Sequence, residues 1–286
     1  MGQDELGGSP QLRVSTVNQS PGALEPESKR VPRTRVSGAR VRVGALQLDV
    51  INRTEAIDAI VRLVREGRGG TVFTPNVDHI VQAEHNEVFR EAYDRTSLSL
   101  VDGTPVLWAA RLLGTPLPEK LSGSDMFDPL IERAEREQMR VVLLGGGPGV
   151  AELAATKLRA RLPKLQIVDT LAPRIGLTAT DEEKACVERL VQAKADLIFV
   201  CLGAPKQELF SDRNRQALAP AVLVCFGAAV DFAAGTIPRA PGWVSRAGLE
   251  WAFRLGREPR RLASRYLLRD PEFFKIVAMQ ALSRSG

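Results

Sequence analysis

Asp102 is followed by Gly103-Thr104-Pro105, at the point where the short apolar run 97–101 gives way to a segment of helical character. A carboxylate held there can take the proton of an attacking hydroxyl as a general base. It can also do no more than cap the helix that follows, and for a lone Asp-Gly-x-Pro the cap is the commoner outcome. Thr74 and Asn76 bring a hydroxyl and an amide to the end of a second apolar run, where Asn beside Pro is equally ordinary turn chemistry. A third run, 197–202, stops at Gly203-Ala204-Pro205 and delivers Lys206, Gln207 and Glu208. Lys206 and Glu208 are open between contact with a ligand and a salt bridge with each other. Asp231, after Gly227-Ala228-Ala229-Val230, could accept hydrogen bonds from a ribose or a base, or could be a turn residue.

Gly145-Gly146-Gly147-Pro148-Gly149, between a strand and a helix, is a candidate phosphate cradle, because glycines let backbone N–H groups approach an anion. A plain βα turn is an equal reading. Val150 stands where a G-x-G-x-x-G fingerprint needs glycine, and no G-x-x-x-x-G-K-[ST] occurs. His79 and His85 lie six apart on an expected helix and no Asp-x-Asp pair occurs, so neither spacing makes a metal site. Metal-independent chemistry is the better fit, with a single Mg²⁺ carried in by a diphosphate as the alternative.

The elements that must position these residues follow from the patterning of the 286-residue chain, 44% of it hydrophobic. A strand pair is expected over 41–50, then a helix opened by the Asn52/Glu55 capping box and ended at Gly67. Strands at 70–74, 97–101, 140–144, 165–168, 197–202 and 221–226 alternate with helical segments, one of them a single helix from 77 to about 93. Residues 106–113 have helical character, 117–125 read as a loop and 126–138 as a helix, and Thr180-Asp181-Glu182-Glu183 is a further capping box. Such alternation argues for an α/β fold, a mostly parallel Rossmann-like sheet with helices on both faces. In sheets of this kind ligands sit outside the carboxyl ends of the strands, which is where the polar clusters fall.

Residues 1–38, rich in Gly, Ser, Pro and charge, are expected to be a disordered extension, 39–238 the α/β domain and 239–286 a basic helical appendage. That tail interleaves Arg239, Arg254, Arg261 and Arg265 with aromatics such as Trp251, Phe273 and Phe274. The mixture suits an anionic membrane or nucleic acid, and a solvated helix face with core-packed aromatics is the alternative. No eighteen-residue apolar run occurs and the first residues are acidic, so a cytoplasmic protein is expected. Cys186, Cys201 and Cys225 are too scattered for a zinc site or a disulfide frame and read as buried thiols. The glycine cluster with Asp169 downstream motivates a nucleotide-cofactor oxidoreductase as an alternative function, and the basic tail a non-enzymatic membrane adaptor.

Thr74-Pro75-Asn76-Val77-Asp78-His79, Asp102-Gly103-Thr104-Pro105, Leu121-Ser122-Gly123-Ser124-Asp125, Leu143-Leu144-Gly145-Gly146, Leu202-Gly203-Ala204-Pro205-Lys206-Gln207-Glu208, Arg239-Ala240-Pro241 and Glu250-Trp251-Ala252-Phe253-Arg254, in that order, closely resemble the WecG/TagA/CpsF glycosyltransferases. The resemblance implies an inverting transfer of a sugar from a UDP donor to a polyprenyl-diphosphate-linked sugar in cell-surface polysaccharide synthesis. N-acetylmannosamine is the usual donor sugar, with glucuronic acid or another hexose also known in the family. Asp102 matches the base, Thr74 and Asn76 the pair lining the site beside it, and Gln207 a residue that holds donor or acceptor. Gly145, Gly146 and Asp231 fall where the nucleotide lies in such a fold, and Gly203 and Lys206 are expected among the substrate-binding residues. Arg254, Arg261 and Arg265 match C-terminal arginines that neutralise the leaving diphosphate. Lys120 stands where the family often has arginine, keeping the charge and losing the bidentate fork. The implied partners are the UDP-sugar, the polyprenyl acceptor and an anionic membrane, with no nucleic acid. The enzyme would be peripheral on the inner face of the plasma membrane, possible as a homo-oligomer, with no metal or other cofactor.

Overall fold

The computed structural model describes residues 38–240, Val244, 250–257 and 270–284. The expected N-terminal extension therefore lies outside the described residues, Gly38 excepted. An antiparallel hairpin comes first, β1 (Arg40–Val43) and β2 (Leu46–Asp49). The buried Asp49 carboxylate receives Arg40 in a fork (2.7 and 3.1 Å) and the Ser99 backbone N–H at 2.7 Å, which ties the hairpin to the edge of the main sheet.

Helix α1 (Arg53–Arg65) has the complete Asn52/Glu55 capping box and leads to β3 (Gly70–Phe73). Residues 77–95 depart from the single helix expected there. They form α2 (Val77–His85) and α3 (Glu87–Arg95), because Asn86 leaves helical dihedrals (φ −124°, ψ 100°) and its side chain accepts the Phe89 N–H, capping the second helix. After β4 (Leu98–Ser99) comes α4 (Thr104–Leu112), then α5 (Gly123–Arg136), which starts three residues earlier than its apolar pattern suggests because Ser122 caps it. The remaining elements are β5 (Arg140–Gly145), α6 (Val150–Arg161), β6 (Gln166–Leu171), α7 (Asp181–Ala193), β7 (Leu197–Cys201), α8 (Lys206–Asn214), β8 (Val222–Cys225) and α9 (Ala229–Ala234). In the tail, α10 (Glu250–Arg257) and α11 (Asp270–Arg284) are described.

The capping box expected at Thr180 is half made. Thr180 accepts the Glu183 N–H, but the Glu183 carboxylate turns to Arg213 (2.7 Å) and Asn214 (2.8 Å), fastening α7 to α8.

Six strands form one parallel sheet in the order β4-β3-β8-β7-β5-β6. Both faces are buried, which is why the strands read as continuous apolar runs rather than alternating ones. Val142, Leu144, Ile198 and Leu223 pack under α2, α3, α4, α7 and α8, while Val141, Leu143, Phe199 and Val224 pack under α1, α5, α6 and α9. Phe273 and Val277 of α11 are buried in the first of these layers, so Phe273 takes the core-packed reading of the tail aromatics, whereas Phe274 is exposed. No helix of the described residues is long and apolar enough to cross a membrane.

Candidate active site

A cleft of about 920 Å³ opens at the carboxyl ends of all six strands. Each strand end contributes to it: Thr74 and Asn76 after β3, Asp102 after β4, Gly146 after β5, Arg174 after β6, Gly203, Ala204, Lys206 and Gln207 after β7, and Gly227, Ala228 and Asp231 after β8. The backbone connects the ends. Asp102 N–H donates to Pro75 O at 2.8 Å, and Leu121 N–H to Val101 O at 2.7 Å, so Asp102 is held beside Thr74-Pro75-Asn76 and the 121–125 segment.

Local chemistry explains the sequence of that segment. Ser122 Oγ accepts the Asp125 N–H at 3.2 Å and donates to Asp125 Oδ2 at 2.6 Å, and Lys120 Nζ stands 3.1 Å from the same oxygen. A side chain at Gly123 would put its Cβ 2.6 Å from the Phe226 Cα, so glycine lets α5 start against the end of β8. Gly145 (φ +123°) has the same kind of role, since a Cβ there would lie 2.1 Å from Cys201 O.

Beneath the cleft the polar side chains are bonded to the backbone of neighbouring strand ends and, for Gln207 and Glu208, to each other. Thr74 Oγ1 donates to Cys225 O at 3.1 Å, and Gln207 Oε1 accepts the Gly227 N–H at 3.1 Å while its Nε2 donates to Glu208 Oε1 at 2.8 Å. His79 Nε2 lies 3.3 Å from that same Glu208 oxygen, and His79 Nδ1 is 2.7 Å from Asn76 Oδ1. The salt bridge open between Lys206 and Glu208 is therefore not made: Glu208 is fully buried on Gln207 and His79, and Lys206 is exposed along the cleft. Tyr93, packed edge-on against Phe73 and Phe89, has its hydroxyl pushed well above the ordinary phenol value by burial, then by the charges of Glu208 and its neighbours. Burial likewise pushes the cleft-lining Cys201 thiol up to about 12, so it offers no thiolate.

Residues 41–286 match the model of the glycosyl transferase WecG/TagA/CpsF family. The chain belongs to this family. It is similar to the N-acetylglucosaminyldiphosphoundecaprenol N-acetyl-beta-D-mannosaminyltransferase of Bacillus spizizenii, 26% identical over 212 residues that cover 74% of this chain and 80% of that one. The protein of the same description from Bacillus subtilis is also 26% identical, over 211 residues covering 73% and 80%.

As a WecG/TagA/CpsF glycosyltransferase, the chain brings together most of the residues that its sequence singles out. Thr74, Asn76, Asp102 and Gln207 line one cleft with Gly146, Gly203, Lys206 and Asp231. Gly145 does not line it and serves the packing of β5 on β7; Lys120 also stands outside the lining, held by Asp125. Arg254 lies on α10, and Arg261 and Arg265 lie outside the described residues. His79, Arg174 and Thr180 also line the cleft, though sequence reasoning gave none of them a place among the site residues. His79 had one legible signal, its place three residues after the helix-capping Asn76. Arg174 had none, being one arginine among many in a loop. Family membership leaves the oxidoreductase and adaptor readings without support, and Asp169, the acid that motivated the first, is forked onto Arg189 at 2.7 and 2.6 Å.

Proposed function

We propose that this enzyme transfers a sugar, N-acetylmannosamine first among the candidates, from a UDP-sugar to an N-acetylglucosamine carried on a polyprenyl diphosphate, with inversion. The observation that carries the reading is the single cleft in which a half-buried carboxylate, Asp102, faces the same space as two exposed cations, Lys206 and Arg174. Asp102 takes the proton of the acceptor hydroxyl, whose oxygen then attacks the anomeric carbon from the face opposite the departing UDP. The bond from that carbon to the β-phosphate oxygen breaks, and its electron pair leaves with the UDP. The diphosphate gains charge as it departs, and positioned cations are suited to receive it. Glu182 holds the Arg174 backbone N–H at 2.7 Å but no carboxylate among the described residues pairs with the Arg174 guanidinium or the Lys206 ammonium, and Lys206 opens α8, whose N-terminal dipole favours an anion. This supply of charge supports a reaction without a resident metal, which undiminished turnover in EDTA would bear out.

The acceptor's lipid favours action at a membrane surface. Helix α4 begins two residues after Asp102 and exposes Trp108 (65%) and Leu112 (67%) one turn apart, an apolar stripe beside the proposed base. The test is UDP release by the purified protein over several UDP-sugars with a soluble N-acetylglucosaminyl-diphosphate lipid analogue. Release is expected with UDP-N-acetylmannosamine, and NMR of the product is expected to show the inverted anomer. Absence of release with every donor would overturn the proposal.

A further inference from the structure

We infer that Arg213 is a positioning residue for the donor. From outside the cleft its guanidinium fastens the 172–177 loop, which carries Arg174, to the helix that Lys206 opens, and so sets the spacing of the two cations that face the departing diphosphate. The inference rests on the glycosyl-transfer reading, in which those cations receive the UDP.

Three attachments hold the loop. Arg174 N–H donates to Glu182 Oε1 at 2.7 Å, in the first turn of α7. The Ile175 side chain is buried in the core layer that holds Leu190 of α7 and Phe210 of α8. Leu177 O accepts from Arg213 Nη1 at 2.7 Å, and this bond reaches across to α8. Arg213 can make it because the rest of its guanidinium is already oriented. Its Nη2 and Nε donate to Glu183 Oε2 and Oε1 at 2.7 and 3.1 Å, a fork that fixes the plane in which Nη1 points. Glu183 is 2% exposed, and its Oε1 also accepts from Asn214 Nδ2 at 2.8 Å, so the carboxylate under the fork is itself held by α8.

The half-made cap at Thr180 takes its meaning from this arrangement. Glu183 stands where a capping box would return its carboxylate to the Thr180 N–H, and it serves Arg213 instead. A local rule given up for a tertiary bond beside a cleft is the pattern expected where function sets the geometry. What is fixed is the backbone root of Arg174, while its exposed guanidinium can still follow a diphosphate. Lys206 and Arg213 lie two turns apart on one helix, so α8 carries the position of the first to the second. Without the Arg213 bond the loop keeps its ties to α7 and loses this one to α8. The spacing of Arg174 and Lys206 then relaxes, whereas Asp102, after the edge strand β4, is untouched.

The experiment is steady-state UDP release by full-length Arg213→Lys and Glu183→Gln, with melting temperatures measured alongside. Arg213→Lys keeps a cation beside the buried Glu183 and loses the planar fork. We expect its donor KM to rise about three- to tenfold with kcat within about twofold, the scale of one weakened charge-assisted contact. In an Arg174→Ala background the same change should raise KM less than about twofold further, because Arg213 acts through Arg174. A parental donor KM in folded Arg213→Lys, a loss confined to kcat, or fully additive losses in the cycle would overturn the inference. If Arg213→Lys fails to fold, a parental KM in Glu183→Gln overturns it. Amide hydrogen exchange gives a readout independent of turnover: in Arg213→Lys the 172–177 segment should exchange at least about tenfold faster, with β7 unchanged. Unchanged exchange there sinks the clamp whatever the substrate proves to be. Faster exchange in a protein whose parent turns over no UDP-sugar would support the clamp and count against the glycosyl-transfer reading instead.

Discussion

The two halves of the cleft are built on opposite principles. Below the ends of β3, β7 and β8, Thr74, His79, Gln207 and Glu208 are each at most 6% exposed; Thr74 is bonded to the Cys225 carbonyl, and Glu208 meets Gln207 in a hydrogen bond and His79 at ion-pair distance. Around the ends of β5 and β6, Gly147, Arg174 and Thr180 are exposed and stand on loops. Buried, interlocked groups cannot adapt, and a reaction that demands fixed geometry benefits from that. Solvated loops and long cationic side chains tolerate movement, which suits gripping a flexible diphosphate. On the proposed glycosyl-transfer reading, the difference would give chemistry to the floor and affinity to the rim, and that division can be broken by experiment.

The largest effect is expected at the floor's edge. Asp102→Asn should lower kcat by about 10²- to 10⁴-fold, the range of a positioned general base, with the donor KM little changed. UDP-release kinetics at saturating donor check this, and a variant altered only in KM would move Asp102 to the gripping half.

Next comes the seam between the halves. Gly145→Ala forces a side chain at φ +123° and a Cβ 2.1 Å from Cys201 O, where β5 pairs with β7. Overpacking and backbone strain together should cost about 2–4 kcal/mol, seen as a lower urea midpoint with an unchanged slope. Wild-type stability would mean that β5 and β7 spread easily, and the two halves would then not be rigidly joined. At the rim itself, Arg174→Ala should raise the donor KM about tenfold at low salt and leave kcat within about twofold. A kcat effect there would erase the distinction between rim and floor.

How far the halves could be read from sequence differs for the same physical reason. The floor's cleft-facing residues were legible because each ends an apolar run, as Asp102 and Gln207 do, and strand ends are where a parallel sheet puts its ligands. The link beneath them was not, because His79 and Glu208 sit on different helices far apart in the chain and meet only through the β3-β8-β7 order. Local signals misled where a tertiary partner won. The acid of the Thr180 cap went to Arg213, and the long periodic segment from Val77 broke because Asn86 could cap a second helix. Arg174 was invisible because its place at the cleft comes from the loop after β6, which composition cannot show.

The smallest expected effect lies at the opposite end of the sheet, and it sharpens the comparison by asking whether the rim's strand needs its anchor. Asp196, just before β7, accepts the Arg140 backbone N–H at 2.7 Å and the guanidinium at 2.8 and 3.1 Å, at the start of β5. Burial pushes the carboxyl up, but these hydrogen bonds from Arg140 outweigh it and hold it below the usual value. A carboxyl lowered in the folded state stabilises the fold above its unfolded value, and that contribution disappears as pH falls through the lowered one. Asp196→Asn should therefore cost under about 1 kcal/mol at neutral pH, since the pair is partly solvated and screened. Parent and variant should converge in acid, as followed by urea unfolding at a series of pH values. A gap that persists below the lowered value would show that shape and hydrogen bonding at this strand start matter more than charge. The rim would then owe its position to the β5–β7 ladder alone.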